Sequence, residues 1–166
     1  MKKQQGLTRK EIVSLLYKSA FDFFKKIPDF GCSITFKEVH LSDSLRVDIF
    51  NLSISDKVVI IELKSCRQDF ESDSKWKNYM DYCDRFFFMC PTGVIKEGEL
   101  PEKVGLIYVN IDNPANPHFK VIRKPGQLRP RYVTNSWLKY IYRKLAFRKF
   151  VKIDGEMVSL ENDKLF

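Results

Sequence analysis

From Thr8 onward the apolar positions Ile12, Leu15, Leu16, Ala20, Phe23 and Phe24 recur every three to four residues. This is the spacing of one helical face, and it runs to about Lys26 before Pro28 stops it. Thr8 and Glu11 stand three apart at its start, as in a capping box, which gives Glu11 a structural part rather than that of a helix-borne acid. The period then changes. Cys32 to His40, Leu45 to Leu52 and Lys57 to Ser65 are rich in Val, Ile and Phe and are separated by Ser/Asp-rich turns. They predict three strands in an antiparallel meander. A polar helical segment follows from about Gln68 to Tyr82. Arg85 to Cys90 is almost wholly apolar and ends at Pro91, the pattern of a strand buried on both faces. Val104 to Asn110 and His118 to Arg123 are further strand candidates. Beyond the loop at Pro125, Gly126 and Pro130, a basic amphipathic helix is expected over Ser136 to Lys149. The order αβββαβ with C-terminal additions is that of an α/β (α+β) sandwich around a mixed sheet.

Alternation along the second and third strands makes the sharpest chemical statement. Glu62 and Lys64 must project to one side, and Ile61 and Leu63 to the other. A hairpin loop over Ser53 to Lys57 pairs Leu52 with Val58 and so brings Asp48 opposite Glu62, with Cβ atoms about 4.5–5.5 Å apart. Val47, Ile49, Val59, Ile61 and Leu63 then form the opposite, apolar face, which opposes a one-residue slip. Two carboxylates and an amine share one patch at exposed strand ends. Carboxylates this close stay ionised only beside a cation. Mg²⁺ or Mn²⁺, taking one or two carboxylates and keeping waters, is the natural partner. An ion pair between edge-strand side chains is the ordinary alternative. Asp73-Ser74-Lys75 imitates the end of the pattern but lies in the polar helical stretch. Arg46, on the face of Asp48, is placed either to contact a phosphate or to neutralise the carboxylates. His40 and His118 have no Cys or His partner nearby in sequence and carry no catalytic expectation.

Length and composition narrow the class. With 166 residues, 44% of them apolar and 14% aromatic, one domain with one core is expected over 1–166. No apolar run approaches the span of a bilayer, and Met1 to Lys3 lead into Gln4 and Gln5 rather than a signal core, so a soluble cytoplasmic protein without a membrane partner is expected. Cys32, Cys66, Cys83 and Cys90 show no C-x-x-C spacing and are expected as small, buried, reduced side chains. The formal charge of +8 is unevenly placed, because residues 118–152 contain no Asp or Glu. Arg143, Lys144, Arg148 and Lys149 on the basic helix, at about 133–150, are the expected contacts to a polyanion, DNA above all. An ordinary solvated basic face or attraction to anionic lipid would give the same charge pattern.

Arg46-Val47-Asp48-Ile49 followed by Ile60-Ile61-Glu62-Leu63-Lys64-Ser65 resembles the core of PD-(D/E)XK nucleases, and specifically that of MmcB-like DNA-repair proteins. Asp69-Phe70, Asp73, Lys75-Trp76, Tyr79, Tyr82-Cys83-Asp84-Arg85-Phe86-Phe87 and Gly105-Leu106-Ile107 continue the likeness, which covers about Val39 to Ile107. It implies a restriction-endonuclease-like fold in which Asp48 and Glu62 hold the metal and Lys64 is the catalytic lysine. A polar group from the following helix often joins such sites. Lys75 is the candidate, with Asp73 and Tyr79 behind it, although a solvated helix face suits Lys75 as well. Trp76 either anchors that helix or stacks on a base.

The function expected is that of a metal-dependent deoxyribonuclease in DNA repair, processing or restriction. Its rival is a non-catalytic DNA-binding module of the same fold. A third reading is an interaction subunit docking through Trp137, Leu138, Ile141 and Leu145, though these suit packing of the helix on its own domain. A homodimer stays open as an assembly.

Overall fold

Reciprocal hydrogen bonds begin α1 (Arg9–Lys26): the Thr8 backbone N–H and hydroxyl each donate to Glu11 Oε2 at 2.7 Å, and the Glu11 N–H donates to Thr8 Oγ1 at 3.3 Å. Glu11 is therefore a cap. The computed structural model describes residues 6–26, 33–146, 150–153 and 156–159. They fall into two compact units, Met1–Arg131 and Tyr132–Phe166.

The first unit is α+β. Its sheet has six strands in the order β1 (Ser33–His40), β2 (Arg46–Ser53), β3 (Val58–Leu63), β4 (Arg85–Pro91), β5 (Val104–Asn110) and β6 (His118–Arg123). The first three form the antiparallel meander, β3–β4–β5 are parallel, and β6 returns antiparallel to β5. Parallel neighbours require a crossover. The one from β3 to β4 carries α2 (Arg67–Glu71), α3 (Trp76–Tyr79) and a 3₁₀ turn at Met80–Tyr82. The single helix expected over 68–82 is thus broken. Asp73 Oδ1 accepts the Lys75 backbone N–H at 2.8 Å, an Asx turn that competes with helical bonding.

Alternation sorts the two sheet faces. Leu16, Ala20, Phe23 and Phe24 of α1 pack on Ile49, Val59, Ile61, Leu63, Phe87, Met89, Ile107 and Val109. On the other face Trp76 stacks on Phe86 with centroids 5.9 Å apart and meets Phe88 edge-on at 5.2 Å. Trp76 anchors α3 and is buried. Both β3 and β4 lie inside the sheet, and β3 is buried along its whole length. At the start of β3, Asp84 acts as a clamp. Its Oδ2 accepts the Val58 N–H at 2.9 Å, its own N–H donates to the Val58 carbonyl at 2.8 Å, and its Oδ1 receives Lys57 and Gln127 at 3.3 Å each.

Gly105 in β5 is a close-approach position, since a Cβ there would lie 2.4 Å from Cδ1 of Phe87 and 3.0 Å from Cδ of Pro125. The Phe87 ring is buried in the layer under α1 and has little room to yield. Gly105→Ala is expected to cost about 1–3 kcal/mol by overpacking, read as a lower urea midpoint at unchanged m-value.

The second unit contains α4 (Asn135–Ala146) and the antiparallel hairpin β7 (Phe150–Ile153) and β8 (Glu156–Ser159), which the strand pattern did not announce. Thr134 Oγ1 accepts the Trp137 N–H at 3.2 Å at the start of α4. Leu138, Ile141 and Leu145 are buried, whereas Lys139, Tyr140, Tyr142 and Arg143 are exposed. Arg148 and Lys149, expected on this helix, lie outside the described residues.

Cys83 and Cys90 are buried free thiols, as expected, but Cys66 is exposed because it occupies the N-cap position of α2. Cys32 lies outside the described residues. Among the described residues no helix is long and apolar enough to cross a membrane.

Candidate active site

The β2–β3 ladder pairs Leu52 with Val58, Asn51 with Val59, Phe50 with Ile60 and Ile49 with Ile61, the register expected from the hairpin. One step on, Asp48 and Glu62 face each other where the paired register ends. Their carboxylates take over backbone groups there. The Leu63 N–H donates to Asp48 Oδ2 at 2.8 Å, and the Asp48 N–H points to Glu62 Oε2 at 3.5 Å. Lys64 remains tied to the sheet through its N–H, which donates to the Met89 carbonyl at 3.0 Å. Its ammonium lies 2.5 Å from Asp73 Oδ2, 3.5 Å from Glu62 Oε1 and 5.9 Å from the centre of the Phe88 ring.

Burial corrects one expectation. Glu62 and Lys64 are only 7% and 6% exposed, so the patch is not at exposed strand ends. An ion pair on an edge strand is excluded as well, because β3 runs between β2 and β4. Burial, then the charge of Asp48, pushes the Glu62 carboxyl well above the usual range, with Lys64 opposing. Burial also raises Asp48, partly offset by the Leu63 N–H and by the charges of Lys64 and Arg46. Removed from water, the two acids are short of positive charge.

A cavity of about 240 Å³ opens beside them, lined by Asp48, Glu62, Leu63, Lys64 and Ser65, by Asp69, and by Arg9, Val13 and Tyr17 of α1. Asp69 joins the walls, accepting Arg9 at 2.5 Å and the Ser65 hydroxyl. Burial and the charge of Asp48 push the Tyr17 phenol upward. Glu38 in β1, level with Asp48, adopts φ 51° and adds negative potential there. Positive φ is uncommon outside glycine.

The structure brings Asp48, Glu62 and Lys64 together, with Arg46 exposed but near enough for its charge to act on Asp48. Lys75 is exposed at the N-cap of α3, and the side chain from that crossover that reaches Lys64 is Asp73. Arg143 and Lys144 belong to α4 in the second unit. Arg9, Tyr17 and Glu38 were missed, and Asp69 enters the sequence reading only as part of the family likeness, without a place at the site. Arg9, Val13 and Tyr17 recur one turn apart on the flank of the α1 apolar stripe, a signal that was available. No pattern marks Glu38.

Whether a divalent cation suits the cavity rests on its donor set. Among the described residues no group of three or more His, Cys, Asp or Glu is gathered for a metal. The two hard carboxylates Asp48 and Glu62 at an open polar cavity nevertheless match Mg²⁺ or Mn²⁺, which take one or two protein carboxylates and fill the remaining positions with water or phosphate.

A family model described as "DNA repair protein MmcB-like" matches residues 16–126, more than half of the chain. The chain belongs to the MmcB-like family. The MmcB-like region contains Asp48, Glu62, Lys64 and Asp73 and ends before α4. Among solved structures, the MmcB-like chain is similar to the SPO1766 protein of unknown function from Silicibacter pomeroyi. That likeness has a TM-score of 0.62 and 21% identity over 87% of this chain and 88% of the other, and it speaks for the fold alone. No curated protein matches this MmcB-like chain.

Proposed function

We propose that this MmcB-like protein is a metal-dependent deoxyribonuclease of the PD-(D/E)XK kind, with a restriction-endonuclease-like core, acting in DNA repair. The observation that carries the reading is the placing of Asp48, Glu62 and Lys64 around one polar cavity where β2 and β3 part. Asp48 and Glu62 would hold Mg²⁺ or Mn²⁺. When bound, such an ion supplies Lewis-acid polarisation of the scissile phosphate. Lys64, its ammonium over the Phe88 ring, presents a positive charge to the negative charge that develops on the phosphate. Arg46, exposed at the start of β2 and close enough for its charge to act on Asp48, adds a second cation for the DNA backbone.

The membership in a DNA-repair family supports DNA as the partner. Incubation with linear, nicked, flapped and four-way DNAs in Mg²⁺, Mn²⁺ or EDTA tests the reading, and cation-dependent fragments are the expected result. The buried pairing of Lys64 with Asp73 favours a second reading, a DNA-binding module whose lysine has become structural. Binding of the same DNAs without cleavage under every condition would establish it.

Asp48→Ala and Glu62→Ala are each expected to weaken Mn²⁺ binding at least about tenfold, a loss of about 1.4 kcal/mol, while the fold persists because one of two repelling carboxylates is gone. Calorimetric titration checks this. Unchanged affinity in both variants would remove them as ligands.

A further inference from the structure

We infer that the solvent face of α4 is a binding surface for single-stranded DNA, with Lys139 and Arg143 as a phosphate-binding ridge and Tyr140 and Tyr142 as stacking platforms on either side of it. The inference rests on the reading of DNA as the partner and adds the strandedness of that DNA.

The face is defined by what α4 buries. Leu138, Ile141 and Leu145 occupy the inner stripe. On the opposite side Lys139 and Arg143 stand one turn apart, and the helical angle of 100° per residue puts Tyr142 to one side of that ridge and Tyr140 to the other. Five large apolar or aromatic side chains are exposed among the described residues, and three of them, Tyr132, Tyr140 and Tyr142, fall within this short segment. Tyr140 and Tyr142 are 44% and 45% exposed. The Lys144 ammonium donates to the Tyr140 hydroxyl at 2.9 Å and lies 5.2 Å from its ring centre, which holds that ring in place on the surface.

Charge points to a polyanion. Like charges one turn apart weaken a helix, and residues 118–152 supply no acid to offset them. A solvated basic face has no need of large exposed rings. A duplex hides the faces of its bases and offers only edges, whereas an unpaired base presents a π-face that stacks on an aromatic ring. A lipid surface is a poorer match, because the apolar stripe that would enter it is already buried.

The test uses the full chain in EDTA, with binding measured by anisotropy to an oligo-dT strand, an abasic strand of equal length and a duplex. The parent is expected to bind oligo-dT about tenfold or more tightly than the abasic strand. Tyr140→Ala with Tyr142→Ala should reduce oligo-dT to the abasic level and leave duplex affinity within about twofold, with Phe at both positions restoring the preference. Lys139→Gln with Arg143→Gln should weaken all three and flatten the log–log salt slope on the strands by about 0.7 per lost contact. A parent that prefers duplex, or a double-alanine variant that is folded by circular dichroism and keeps the base preference, overturns the proposal. Either result leaves cation-dependent cleavage untouched. A protein that binds strands through these rings yet never cuts DNA overturns the nuclease reading instead.

Discussion

Lys64→Ala is expected to lower the single-turnover rate of Mg²⁺-dependent DNA cleavage by about 10²–10³-fold, the usual range for loss of one donor that stabilises developing charge, with DNA affinity in EDTA near that of the parent. The asymmetry follows from where the amine sits. Lys64 is buried beside Glu62, with its nitrogen 3.5 Å from Glu62 Oε1, at the base of the cavity rather than on the basic surface. Bound DNA in the ground state gains little from a cation already paired with the Asp73 carboxylate at 2.5 Å. The transition state, in which charge builds on the phosphate, gains more. Cleavage kinetics and gel shifts on the same preparations give both quantities. A variant that cuts at the parental rate would remove the lysine from the chemistry, and one that loses rate and affinity equally would assign it to binding.

Asp73→Asn is expected to destabilise the first unit by about 3 kcal/mol, the low end for breaking a buried ion pair. The Asp73 and Lys64 side chains are only 14% and 7% exposed and meet at 2.5 Å, so the neutral amide leaves a buried ammonium without its shortest contact. Two features keep the cost at the low end. Lys64 retains Glu62 at 3.5 Å, and the charge of Asp73, which pushes Glu62 upward, is withdrawn. Adding Lys64→Met to Asp73→Asn is expected to recover most of the loss, since removing both members of a buried pair costs far less than removing one. Urea unfolding of the parent, both single variants and the double variant closes the cycle. A parental midpoint for Asp73→Asn would show that the pair does not hold the crossover to the sheet.

What could be read from the sequence depended on how strongly each segment's period was imposed by burial. Slipping β3 by one residue would exchange Ile61 for Glu62 in the core, so the apolar alternation and the short loop after Ser53 sufficed to place Asp48 opposite Glu62. The polar stretch from Arg67 to Tyr82 has no such constraint. Its course is set by Asp73 bonding the Lys75 N–H and by Trp76 finding Phe86 and Phe88, contacts that depend on a strand later in the chain. The same break turned Asp73, rather than Lys75, toward Lys64. The burial of Glu62 and Lys64 was hidden for a related reason. A hairpin read alone has a wet side, and only the docking of β4 alongside β3, with α3 over Phe86 and Phe88 of β4, closes that side.

The clamp at Asp84 makes β3 a ruler. Val58 is fixed at one end by two backbone-level bonds to Asp84, and Glu62 is delivered four residues later, about 13 Å away at the usual rise of a strand. The distance between clamp and carboxylate is set by covalent geometry and needs no contact at the far end. On the β2 side the backbone groups of the site end are therefore left to Asp48 and Glu62 in place of a cross-strand partner, while on the β4 side Glu62 and Leu63 stay in register with Phe88 and Met89. An insertion or deletion inside β3 would leave the clamp intact and put Ile61 or Leu63 opposite Asp48 in the place of Glu62, so along this strand length is held as strictly as chemistry.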